Sequence, residues 1–60
     1  MKRRTLWNAI RNYAAAVEAV SWRSAVHPDE RDLLNREEDK SRRWLNGLLD
    51  RLTEGERLEP

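Results

Sequence analysis

Two runs of residues repeat at spacings of 4, 3, 4, 3 and 4, and a His-Pro dipeptide stands between them. The first run is Leu6, Ile10, Tyr13, Val17, Val20 and Ser24; the second is Leu34, Glu38, Ser41, Leu45, Leu48 and Leu52. Residues spaced this way share one face of an α-helix, and no strand aligns them. Trp7, Ala9, Ala14 and Ala16 widen the first stripe, and Leu33, Trp44 and Leu49 flank the second. The pattern predicts helices over about residues 5–26 and 28–53. Thr5 is the expected N-cap of the first helix.

Pro28 keeps His27 out of helical conformation and suits the first position of the next helix. His27 therefore marks the turn. Asp29, Glu30 and Asp32 put negative charge in the opening turn of the second helix, where its dipole favours it. Gly55 is expected at the C-cap or just beyond it. Residues 54–60 read as a frayed tail, and Gly47 as a point of close backbone approach.

A connection this short turns the second helix back on the first. The expectation is an all-α fold, a two-helix antiparallel hairpin with residues 1–60 as one domain. Charge fits the pairing. Residues 1–26 hold five basic groups and one acid, and residues 27–60 hold seven basic groups and ten acids, for a net charge of +1 overall. Residues 35–43 contain no apolar side chain, and the alanines at 14, 15, 16 and 19 lie roughly opposite, small enough for close helix contact.

Sixty residues in one hairpin make a thin core. Below about 70–80 residues, small chains add disulfides, metal, association or very regular helix packing. This chain has no Cys, which removes the disulfide route and fits a cytoplasmic setting. Leu33 to Leu49 spread over about 160° of the second helix, more than one neighbouring helix covers. The surplus predicts completion as a dimeric four-helix bundle, a homodimer or a complex with a larger protein partner. The residues assigned to that interface are Leu45, Leu49 and Leu52, with Trp22 beside Arg23 either as an off-stripe anchor or as a cap on the hairpin end against Leu33. Trp7 and Trp44 are expected to meet across the open end of the hairpin, and Tyr13 and Ser41 to face each other across the seam.

No nucleophile–base arrangement, phosphate loop or paired-acid motif is present in the sequence, so no catalytic residue is assigned and the chain is read as non-enzymatic. His27 has no second His or Cys with ligand spacing, so no metal or cofactor is assigned. The pairs Asp32–Arg36, Glu38–Arg42 and Asp39–Arg43 fit i,i+4 support on a solvated face. The apolar stretch from Leu6 to Val20 is broken by Asn8, Arg11, Asn12 and Glu18, which argues against a membrane span.

The leading expectation is a small regulator, inhibitor or adaptor acting through helix–helix association. In size and composition the chain resembles compact bacterial, plasmid or phage accessory proteins. The alternative is an RNA- or DNA-binding hairpin dimer whose phosphate contacts come from Lys2, Arg3, Arg4, Arg11, Arg36, Lys40 and Arg43. In length and helical pattern that architecture is similar to the ROP-type dimers of helical hairpins, a resemblance that implies RNA as the ligand.

Overall fold

The computed structural model describes residues 1–59. The N-terminal helix is α-helical over Arg3–Glu18, passes through a π turn at Ala19–Arg23 and ends in a last α turn at Ser24–Val26. His27 leaves the helix at φ −126°, ψ 77°, as the following proline requires. A 3-10 turn at Pro28–Glu30 leads into the C-terminal helix, Arg31–Thr53. Arg23 Nε donates to Glu30 Oε2 at 2.8 Å and clips the two sides of the hinge together.

The two helices lie side by side in a body of 41 × 18 × 11 Å. Its thinnest dimension is about one helix diameter. A single layer of two helices has a seam and no interior. Among the described residues, accordingly, only Ala9 and Leu48 are buried. Along the C-terminal helix the seam follows the predicted stripe throughout: Leu34, Glu38, Ser41, Leu45 and Leu52 are all half-buried around Leu48.

The N-terminal helix keeps Leu6, Tyr13, Val20 and Ser24 of its predicted stripe half-buried but is turned so that Ile10 and Val17 move outward. Ala9 is buried and Ala16 and Ala19 half-buried, whereas Ile10 is 39% and Val17 41% exposed. The reason is steric. Alanine side chains let the helix axes approach closely, and the polar middle of the facing helix offers no apolar side chain to the seam. The wider Ile10 and Val17 stand at the flank instead.

The ends differ from expectation as well. Lys2, extended at φ −73°, ψ 138°, is the N-cap without a side-chain cap bond, and Thr5 lies one turn inside. Residues 54–59 are not a frayed tail. Gly55 adopts φ 113°, a conformation open to glycine because it lacks a Cβ. Its N–H donates to the Leu52 carbonyl at 3.2 Å, and the Glu56 N–H to the Arg51 carbonyl at 3.0 Å. These two bonds make a Schellman cap. The customary apolar contact across such a cap is replaced here by an ion pair, with the Arg51 guanidinium donating to both Glu56 carboxylate oxygens at 2.9 Å.

Beyond the cap the chain returns to its own beginning. The Met1 ammonium donates to the Arg57 carbonyl at 2.9 Å and pairs with Glu56 Oε2 at 3.1 Å. The Glu59 N–H donates to the Met1 carbonyl at 2.7 Å, and Lys2 and Glu59 form a parallel bridge. That bridge holds Lys2 extended, which is why the helix starts at Arg3 and Thr5 caps nothing. Gly47, read as a close approach, faces open space, with nothing within 4 Å of where a Cβ would stand.

Candidate functional site

With no interior, the chemistry of this molecule lies on the two broad sides of the hairpin. Trp44 identifies one of them. It lines a groove of about 380 Å³ with Asn12, Ala16, Glu37, Lys40 and Ser41. A second groove, of about 450 Å³, runs between Trp44 and Asn8, Arg11, Asn12 and Ala15. Trp44 and Asn12 belong to both, so the two grooves are continuous. This side is polar: two amides, two cations, one acid and one hydroxyl surround a single aromatic ring.

The opposite side follows from helical geometry. At 100° per residue, Leu49 stands about 140° from Trp44, and Ile10 about 160° from Asn12. Leu49 and Ile10 therefore look away from the polar grooves. Trp7 and Val17 share the Ile10 flank by the same spacing. The returning tail adds Leu58, which forms a groove of about 350 Å³ with Arg3, Leu6, Trp7 and Ile10. Trp7 is 58% exposed, Leu49 44% and Leu58 42%. The apolar surface is densest at the open end. Toward the hinge, Arg42, seven residues before Leu49, takes over the same flank of the C-terminal helix.

Trp7 and Trp44 thus sit on opposite sides and do not meet. The mismatch comes from the rotation that buries Ala9 and half-buries Ala16, which carries Trp7 outward. Of the residues assigned to an interface from sequence, Leu49 lies on the open apolar flank, while Leu45 and Leu52 are half-buried in the seam. Trp22 is elsewhere, 59% exposed on the π turn at the hinge end, where Val26 and Leu33 are also exposed. Ile10, Val17 and Leu58 escaped the sequence reading, the first two because the stripe placed them inward and the last because its segment was read as loose.

The seven basic residues assigned to phosphate contact are all exposed. Arg3 borders the Leu58 groove, and Lys2 lies in the bridge to Glu59. Arg43 pairs with Asp39 at 2.5 Å, as the spacing predicts. Asp39 also takes Arg42 at 2.6 Å, in place of the expected Glu38–Arg42 pair. That hydrogen bond from Arg42 to Asp39, and then the charge of Asp39, raise the guanidinium pKa above its ordinary value. Only Arg11 and Lys40 are brought together around one feature, the Trp44 ring. No hydrogen bond joins Tyr13 to Ser41, and no ion pair joins Asp32 to Arg36 among the described residues.

No protein-family model, curated protein or solved structure matches this chain.

Proposed function

We propose that this chain is a non-enzymatic helical interaction module that covers its apolar side with a second copy of itself, forming a four-helix bundle. The observation that carries this reading is the open flank of Trp7, Ile10, Val17, Leu49 and Leu58 on a body one helix thick. Stacking a second layer on that side turns five exposed side chains into a core, and burial of apolar area contributes roughly 25 cal/mol per Å².

Two further features favour a second copy over another occupant. A broad side of 41 by 18 Å presents roughly 700 Å² in projection, close to the ~800 Å² per partner of a standard stable interface. Charge is complementary as well. The N-terminal half, residues 1–26, carries net +4 and the C-terminal half net −3. A two-fold axis along the helices sets each N-terminal helix over its neighbour's C-terminal helix, with opposite charges facing at the rim. The regulator, inhibitor or adaptor role is the use such a module serves. A single helical layer also encloses no cleft from which water is excluded, which supports a binding role over catalysis.

Sedimentation equilibrium over a dilution series tests the reading. The expected result is a dimer whose dissociation constant rises at least 100-fold in the double variant Ile10→Lys, Leu49→Lys, with helical circular dichroism retained at high concentration. Both positions are exposed in the hairpin, so the substitutions spare its seam. A monomer that melts at the same temperature at every concentration overturns the proposal, and a complex only with a larger host protein replaces the second copy with that partner.

A further inference from the structure

We infer that the polar side of the hairpin is a binding site for single-stranded nucleic acid, with a base stacked on Trp44 and the phosphates on either side met by Arg11 and Lys40. This site is independent of the apolar side and of its occupant. Trp44 is 41% exposed and lines both grooves, which puts its indole within reach of a flat ligand lying in them. Ala15 and Ala16 keep the surface beside the ring low, giving the grooves their depth. A base has a π-face whatever its identity, and stacking on aromatic side chains is the common currency of single-strand binding. A base inside a duplex is already stacked, which restricts the site to unpaired strands.

The surroundings of the ring suit a nucleotide's other parts. Asn8 and Asn12 each offer an amide with donors and an acceptor toward base edges, and Ser41 adds a hydroxyl. Arg11 borders one groove and Lys40 the other, so a strand crossing Trp44 meets a cation before and after it. Both cations are uncommitted. The side-chain ion pairs among the described residues use Arg23, Arg42, Arg43 and Arg51, and neither Arg11 nor Lys40 takes part. Glu37 is the one acid on the rim, and it opposes phosphate there.

Fluorescence anisotropy with labelled oligouridylate and oligothymidylate of about 12 nucleotides tests the site, with a duplex of equal length as the third probe. Both single strands are expected to bind, and the duplex more weakly. Two phosphate contacts predict a roughly sevenfold loss of affinity between 50 and 200 mM salt. Trp44→Ala is expected to weaken binding by about 5- to 150-fold, while Trp44→Phe keeps most of it. Arg11→Ala or Lys40→Ala should each lower the salt slope by about 0.7, and Glu37→Gln should strengthen binding. Circular dichroism of each variant verifies the fold, and a variant that misfolds is replaced by its Phe or Gln counterpart. Absence of binding by either single strand at 50 mM salt overturns the inference. Equal binding of the duplex, or binding indifferent to Trp44→Ala, overturns it too. A preference for one single strand decides between RNA and DNA.

Discussion

The two broad sides of this hairpin are built on the same two helices, yet they differ in almost every chemical respect. One carries Trp7, Ile10, Val17, Leu49 and Leu58; the other carries Asn8, Arg11, Asn12, Lys40 and one Trp. Between them runs a seam of Ala9, Leu48 and half-buried neighbours. A layer one helix thick cannot hide anything behind its seam, so each side must be matched to what it faces. The contrast teaches that a chain of this size divides its work by side, where a larger protein divides it by depth.

The harshest way to break the contrast is to damage the seam that both sides share. Leu48 is 5% exposed, and Leu48→Ala removes most of the one large buried side chain. Substitutions of this kind cost about 2–5 kcal/mol, a large part of the stability of a domain this small. Urea titration should show the loss, and both the association and the strand binding proposed above should fall with it. Loss of one alone would mean that the sides are not coupled through the seam.

A smaller effect, of opposite sign, comes from Gly47. It lies inside the C-terminal helix on exposed surface with open space around it. Gly47→Ala is expected to stabilise by about 0.5–1 kcal/mol, because alanine restricts the unfolded chain and favours helix. The melting temperature should rise, with both sides left working. A fall would show that something approaches Gly47 closely after all.

The smallest effect is local and depends on pH. Hydrogen bonds from Arg51 and then from the N-terminal ammonium hold the Glu56 carboxyl below the usual carboxylate range. A lowered folded pKa means that the ionised form is the one the fold favours. Its contribution is complete above the unfolded value of about 4.3 and disappears as pH falls through the depressed folded value. Acidification should therefore release residues 56–59 from the N-terminus and expose Leu58's groove while the helices persist. Faster exchange of the Glu59 amide, which bonds to the Met1 carbonyl at 2.7 Å, is the signal to measure. Unchanged protection at low pH would show that the backbone bridge suffices alone.

How far these features were legible varied with what caused them. The C-terminal helix was readable in its facing side and in its end at Thr53, since the leucines at 34, 45, 48 and 52 share one face. Its start was not: Pro28–Glu30, read as its opening turn, form a 3-10 turn before the α-helix begins at Arg31. The N-terminal helix was readable as a helix but not in its rotation. Ala9 and Ile10 are adjacent and both apolar, and only the close packing of the facing helix decides that the smaller one goes inside. The π turn at Ala19–Arg23 had no sequence signal; the Ser24 hydroxyl, just past it, donates back to the Val20 carbonyl. For the candidate site, Leu49 and the exposed cations were visible in the spacing. The grouping of Arg11, Lys40 and Trp44 was not, because they come from two helices whose relative rotation had yet to be fixed.

Local rules were thus sufficient for everything a helix decides by itself: that there are two, that Pro28 separates them, and that Gly55 closes the second. Spacing and backbone sterics act over a few residues, and a few residues are enough to read them. The meeting of the chain's two ends and the opposition of a greasy side to a polar one required the assembled fold. Those depend on contacts between residues up to 58 positions apart, such as Met1 and Glu59, and short-range periodicity carries no record of such distances.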